Sequence, residues 1–164
     1  MIVAFTGHRP DKLGGYDLPN PIYIKVCQNI AEHLKLLKPD KTISGMALGV
    51  DQWAAYISYK LRIPFIAAIP FEGQQTRWPR KSQNTYIKLL NLASEVVVVS
   101  PGGYSPDKMQ IRNKWMVDNC DKLIAVWDGS AGGTGNCVKY AQSKKNTNDI
   151  LYINPSLTIC HENV

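Results

Sequence analysis

The chain has 164 residues, 45% hydrophobic and 20% charged, with Lys+Arg 19 against Asp+Glu 13 for a formal net charge of +6. A chain of this length buries roughly 68–70% of the surface it exposes when unfolded, so one domain over 1–164 is expected. No apolar run approaches the ~20 residues of a membrane helix, and the opening Met1-Ile2-Val3-Ala4-Phe5-Thr6-Gly7 has neither a basic leader nor a cleavage site. Secretion and membrane insertion are therefore not expected. Cys27, Cys120, Cys137 and Cys160 are scattered without a CxxC pair, and only His161 stands beside one of them. A disulfide framework and a metal site are disfavoured, and a reducing, cytoplasmic setting fits. The positive charge is spread along the chain, which suits an anionic small molecule and predicts weak nucleic-acid binding or none.

Ile2 to Phe5 is a β-prone apolar run that ends at Thr6-Gly7, as a buried strand ends at a turn. Asn20-Pro21 reads as an N-cap with proline at the first helical position, and Tyr23, Val26, Cys27, Ile30, Leu34 and Leu37 follow at helical spacing. Residues 41–44 predict a second strand, after which Val50, Trp53, Ala54, Ile57 and Leu61 mark an amphipathic helix. A third strand spans 64–69, and a polar loop from Glu72 to Lys81 leads to a helix carrying Tyr86, Leu89, Leu90 and Ala93. Residues 95–99, with four consecutive valines, read as a strand covered on both faces. A helix with Met109, Met116, Val117 and Cys120 on one face precedes strand 123–127, a helix begins near Thr134, and a last strand spans 150–153. This β-α alternation predicts a doubly wound α/β fold with a mostly parallel sheet flanked by helices. In such a fold ligands bind beyond the carboxyl ends of the strands.

Three turns there carry chemistry. Thr6-Gly7-His8-Arg9 follows the first strand with a hydroxyl, an open backbone, an imidazole and a guanidinium that can grip phosphate through two parallel hydrogen bonds. Ser44-Gly45-Met46-Ala47-Leu48-Gly49-Val50-Asp51 joins a strand to a helix start, where free N–H groups favour an anion and Asp51 can accept from a ribose hydroxyl. Gly132-Gly133-Thr134-Gly135-Asn136 opens the last helix, and glycines so dense are costly unless a ligand must come close. On the preceding helix Asn113 sits among apolar neighbours, where an amide must be hydrogen-bonded or face a cleft. Trp78, in the polar loop, is the tryptophan placed to stack on a ligand ring, and Phe71 stands just before that loop.

Together TGHRP, SGMALGVDQWAA, RNKWMVD and LIAVWDGSAGGTGNCVKYA resemble the YpsA-like branch of the SLOG superfamily, over nearly the whole chain. That superfamily also holds the DNA-processing protein DprA and the "lonely guy" phosphoribohydrolases. The resemblance implies a Rossmann-like fold with a nucleotide-type ligand pocket. The phosphoribohydrolases use an Arg-Lys-x-x-Met helix and a Gly-Gly-x-Gly-Thr-x-x-Glu turn whose glutamate assists departure of the base. Here Arg112 and Met116 match the helix motif with Asn113 in place of lysine. Gly132, Gly133 and Gly135 match the turn, with Asn136 for threonine and Lys139 for the glutamate.

The reading is a nucleotide-ligand binding protein that requires no cofactor or metal and is compatible with a homo-oligomer. Phosphates are expected at Gly132 to Gly135 with Arg112, ribose near Gly45 and Asp51, and base near Phe71 or Trp78. The enzyme alternative is a nucleotide N-glycosidase with Asp51 or Asp128 replacing the missing glutamate. The third alternative is DprA-like binding of single-stranded nucleic acid, disfavoured because basic and aromatic residues are not clustered.

Overall fold

The computed structural model describes residues 1–156. Six strands, β1 (Ile2–Gly7), β2 (Lys41–Ser44), β3 (Phe65–Ile69), β4 (Glu95–Val98), β5 (Lys122–Val126) and β6 (Ile150–Ile153), form one parallel sheet in the order β4-β3-β2-β1-β5-β6. Five helices cover it: α1 (Pro21–Leu37), α2 (Val50–Lys60), α3 (Arg80–Leu92), α4 (Lys108–Asp118) and α5 (Gly133–Lys144). All six predicted strands are present, within a residue or two of their expected ends.

Local chemistry starts α1 where the sequence indicates. The Asn20 side chain accepts from Tyr23 N–H at 2.9 Å and Pro21 opens the first turn. Val26, Ile30 and Leu34 then face the sheet, each contributing about 1.5–3 kcal/mol by leaving water. β1 alternates between the two layers. Val3 and Phe5 pack with α1 and α2, while Ala4 packs with Met116 and Val117 of α4 and Cys137 of α5. A third cluster joins Phe65, Ala67 and Ile69 of β3 to Tyr86 and Leu89 of α3. Cys120 and Cys137 are buried small hydrophobes whose thiols burial pushes up to about 11, and Cys27 is half-buried and also pushed up to about 11. Cys160 and His161 lie outside the described residues.

One expectation holds only in part. The Val96 to Val99 run packs on both faces, Val97 and Val99 against the α4–α5 layer and Val98 against the cluster with Tyr86 and Leu89, but β4 ends the strand order and Val96 is 46% exposed. Hydrophobic content marks a strand with helices on both faces but does not reveal whether another strand pairs along each of its edges.

The sequence of strands reverses direction at β1, which pairs with β2 on one side and β5 on the other. That is the switch point of a doubly wound sheet, and the gap beyond the carboxyl ends of β1 and β5 is where such folds bind ligands. Among the described residues, no helix is long and apolar enough to cross a membrane.

Candidate functional site

A cleft of about 390 Å³ occupies that gap. Thr6, Gly7, His8 and Arg9 line it from the end of β1, Asp51 from α2, and Arg112 and Asn113 from α4. Gly132, Gly133, Thr134 and Gly135 line it from the start of α5. The three glycine turns thus meet at one place. Asp11, Lys12, Ala47, Met109, Ser130 and Ala131 complete the lining. Nothing in the pattern of the sequence marks Lys12 or Ser130 for the site. They arrive because the 3₁₀ turn at Pro10–Lys12 swings Lys12 to Ser130, where its ammonium donates to Oγ at 2.7 Å.

The glycines serve different ends. A Cβ at Gly7 would fall 2.5 Å from the Val50 side chain, and one at Gly45 would fall 2.5 Å from Arg112 Nη1 and 2.8 Å from Asp51 Oδ2. Gly49 has φ +93 and passes so close to the β1 turn that a Cβ would sit 2.6 Å from the His8 carbonyl oxygen. Those positions are glycine for the chain's own packing. At Gly133, the first residue of α5, a Cβ would meet nothing within 4 Å. The N–H groups of Gly133, Thr134 and Gly135 precede the first helical bond, from Asn136 N to Gly132 O at 2.9 Å, and donate to nothing among the described residues. They and the helix dipole make this end of the cleft electropositive.

Arg112 is 4% exposed. Its Nη1 donates to the Gly45 carbonyl and, at 3.4 Å, to that of Ala68; its Nε donates to Asn113 Oδ1 at 2.9 Å. Nη2 has only the Met109 sulfur, at 4.0 Å. The guanidinium therefore ties the second glycine turn to α4 and turns one nitrogen toward softer surroundings. Gln74 of the polar loop supports the same carbonyl, donating to Gly45 O at 3.3 Å while its Oε1 accepts from the Tyr86 hydroxyl at 3.3 Å.

Asp51 faces Arg112 across Gly45, and the two are not joined by an ion pair. The pairs among the described residues are Met1–Asp40, His8–Asp128 and Lys122–Asp149. Burial raises the Asp51 carboxyl above its ordinary value, against the pull of Arg112 and of the Ala47 N–H that donates to Oδ2 at 3.2 Å. Burial likewise lowers Arg112, against the attraction of Asp51. Asp128 has the opposite setting. Hydrogen bonds from Ser130, including its N–H at 2.9 Å, and the neighbouring His8 hold it well below the carboxylate range. His8, 6% exposed, has Nε2 at 2.9 Å from Asp128 Oδ1 and at 3.1 Å from the Asp128 N–H. The ring donates to the first or accepts from the second according to which nitrogen carries the proton.

Several residues singled out in the sequence stand apart from the cleft. Ser44 is buried beneath it, donating to Asp51 O at 2.6 Å and accepting from Met46 N–H at 3.2 Å. Gly45 packs behind it against Arg112 and Asp51, Gly49 lines the neighbouring cavity beside the His8 carbonyl, and Asp128 is joined to His8 without lining the cleft. Asn136 and Lys139 are exposed on α5. Phe71 and Trp78 do not reach it, because each has an aromatic partner of its own. Phe71 meets Tyr104 edge-on at 5.6 Å, and Trp78 meets Tyr86 edge-on at 5.3 Å.

The strand order and the glycine turns at its switch point define a doubly wound, Rossmann-like protein. The profile of the YspA SLOG family matches residues 3–157, and the chain belongs to that family. It is 39% identical over 116 residues to the uncharacterized SPbeta prophage-derived protein YoqJ of Bacillus subtilis (strain 168), covering 61% of this chain and 68% of that one. It is 27% identical over 156 residues to a UPF0398 protein of Bacillus cereus (strain B4264), covering 88% and 83%. Its fold is similar to that of DNA processing protein A (DprA) from Streptococcus pneumoniae, with TM-score 0.67 and 17% identity over 97% of this chain and 51% of that one. A second DprA structure, from Helicobacter pylori and concerned with its single-stranded DNA binding mode, has TM-score 0.61 and 19% identity over 87% and 61%. The chain therefore spans between half and two thirds of those DprA chains.

Proposed function

We infer that the cleft binds a nucleotide or a nucleotide-derived anion. The observation that carries this reading is the convergence of free N–H groups at Gly133, Thr134 and Gly135 with Arg9 and Lys12 on one cavity at the switch point. A phosphate seated at the start of α5 takes charge-assisted bonds from those N–H groups and from the two cationic side chains. Asp51, on the opposite wall, accepts from a sugar hydroxyl. Arg112 acts chiefly by holding the Gly45 turn in place, since Nη1 and Nε are already engaged. Arg9 is therefore the cleaner probe: it is exposed, and its side chain makes no hydrogen bond among the described residues. Mass spectrometry of small molecules released from the denatured protein identifies the ligand, and calorimetry with nucleoside monophosphates, cyclic nucleotides and ADP-ribose-like compounds measures its affinity. Arg9→Ala should lower that affinity about tenfold or more, roughly 1.4 kcal/mol. A panel with no binder, or a binder indifferent to Arg9→Ala, overturns the reading.

One observation favours a second reading, a nucleotide N-glycosidase. Asp51 lines the cleft with its carboxyl raised by burial, the direction that suits a general acid protonating a departing base. Asp128 has the opposite bias and is tied to Ser130 and His8. Chromatography of the same mixtures separates the readings: free base released by the wild type and not by Asp51→Asn establishes catalysis, and intact nucleotide leaves binding alone.

A further inference from the structure

The ridge formed where Arg9-Pro10 crosses Ala47-Leu48-Gly49 has two sides. The anion cleft lies on one, and a second cavity of about 530 Å³ opens on the other, between residues 15–18, α1, α2 and the start of α3. Four aromatic side chains, Tyr16, Tyr23, Trp53 and Tyr56, are in its lining, together with the charged Asp17 and Lys81. Tyr23 and Trp53 meet edge to face, centroids 4.9 Å apart at 89°, so that they form a fixed corner. Tyr16 and Tyr56, 62% and 47% exposed, flank its mouth with Lys81.

Gln52 also lines this cavity, and it is 7% exposed. Its amide nitrogen is committed, donating to Met46 O at 3.2 Å. Its Oε1 takes no hydrogen bond among the described residues and is not fully buried, which leaves an unpartnered acceptor in the lining beside the aromatic rings. An aliphatic occupant, or an aromatic hydrocarbon, would seal that acceptor away from water with no donor, which is costly. The occupant that fits is flat, to stack against the tyrosines, and carries an N–H at its edge for Oε1.

We propose that this groove is a second ligand site, separate from the anion cleft, that takes a nucleobase bearing an exocyclic amine, stacked among Tyr16, Tyr23, Tyr56 and Trp53 with the amine donating to Gln52 Oε1. The volume accommodates a nucleoside, within the range of ordinary small-molecule pockets. Such a base can arrive as a free nucleoside or as one unit of a single strand, and the chemistry read by the groove is the same in both.

Calorimetry and saturation-transfer NMR on the full chain, with adenosine as probe, test this. Adenosine should bind about fivefold or more tightly than purine riboside, which lacks the amine, and more tightly than N-acetyltryptophanamide, a peptide-like ring with an N–H. Tyr16→Ala and Tyr56→Ala are substitutions of exposed side chains and should each weaken adenosine about tenfold, with circular dichroism unchanged. Arg9→Ala and excess inorganic pyrophosphate, which act at the cleft, should leave adenosine binding unaltered, so failure of the cleft reading does not decide this one. A short oligodeoxyadenylate that binds about tenfold more tightly than adenosine, with the same tyrosine dependence, identifies a strand as the source of the base; equal affinity identifies the nucleoside. Equal binding of adenosine and purine riboside, tighter binding of the tryptophan analogue, indifference to both tyrosine substitutions, displacement by pyrophosphate, or no saturation transfer at about 10 mM adenosine would each overturn the proposal.

Discussion

Gly133→Ala separates a glycine kept for a ligand from glycines kept for packing. Gly133 is the first residue of α5, lies outside the left-handed region, and has room for a Cβ with nothing within 4 Å. Alanine there narrows the unfolded ensemble and favours the helix, so the folded chain should gain about 0.4–1 kcal/mol. At roughly 2–4 °C per kcal/mol for a chain of this size, Tm should rise about 1–4 °C. The added methyl stands at the mouth of the α5 N–H groups, where each charge-assisted bond to an anion is worth about 1.5–3 kcal/mol. Loss of one such bond lowers affinity about tenfold or more. Differential scanning fluorimetry with and without the ligand reads both effects: a higher melting temperature for the free protein, and a smaller ligand-induced increase. Gly45→Ala is the contrasting case, since its Cβ would stand 2.5 Å from Arg112 Nη1. It should cost about 1–3 kcal/mol by overpacking and lower Tm. A Gly133→Ala protein that melts lower, or whose ligand-induced shift equals that of the wild type, refutes the division of roles.

Carboxyl-detected NMR should find Asp51 titrating above, and Asp128 below, the ordinary aspartate value of 3.8. The signs for stability are opposite. The Asp128 contribution is complete above the unfolded-state pKa and is lost as pH falls through the folded one, whereas that of Asp51 is complete below the unfolded-state pKa and is lost as pH rises through the folded one. Urea titrations of Asp128→Asn should accordingly show a flatter acid limb, and a limb unchanged from wild type would contradict the Ser130 bonds as its cause. Position in the sheet stack decides two further substitutions: Ile30→Ala in the α1 core should cost about 2–5 kcal/mol, and Val96→Thr on the exposed β4 edge less than about 0.5 kcal/mol, by chemical denaturation. Labelled single-stranded DNA should bind weakly and with affinity that falls steeply with salt, because a net charge of +6 spread over the domain neutralises few phosphates at once. Submicromolar affinity at physiological salt would favour the nucleic-acid reading.

The elements of this fold follow from neighbours in the chain. The Asn20 cap, Pro21 and the spacing of Val26, Ile30 and Leu34 define α1 with no reference to the rest of the molecule, because caps and helix periodicity act within a few residues. The same holds for the glycine turns, whose dihedral demands are local. The alternation of strands and helices limits the topology to a doubly wound sheet, and with it the end at which a ligand binds. What lies side by side is a different matter. β4 has an apolar sequence suited to the interior and stands at the edge, since strand order is set by the sum of packing across the whole sheet. His8 and Asp128 meet over 120 positions of chain, and Arg112 reaches the Gly45 carbonyl over 67. Phe71 and Trp78 resemble ring-binding residues until Tyr104 and Tyr86 are seen to occupy them, while the aromatic corner of Tyr23 and Trp53 forms between two helices that the sequence shows only singly. Propensity and periodicity act through covalent neighbours, so they are written in order along the chain. The partner of a buried charge or ring is whichever group the fold brings within a few ångströms, and only the tertiary structure selects it.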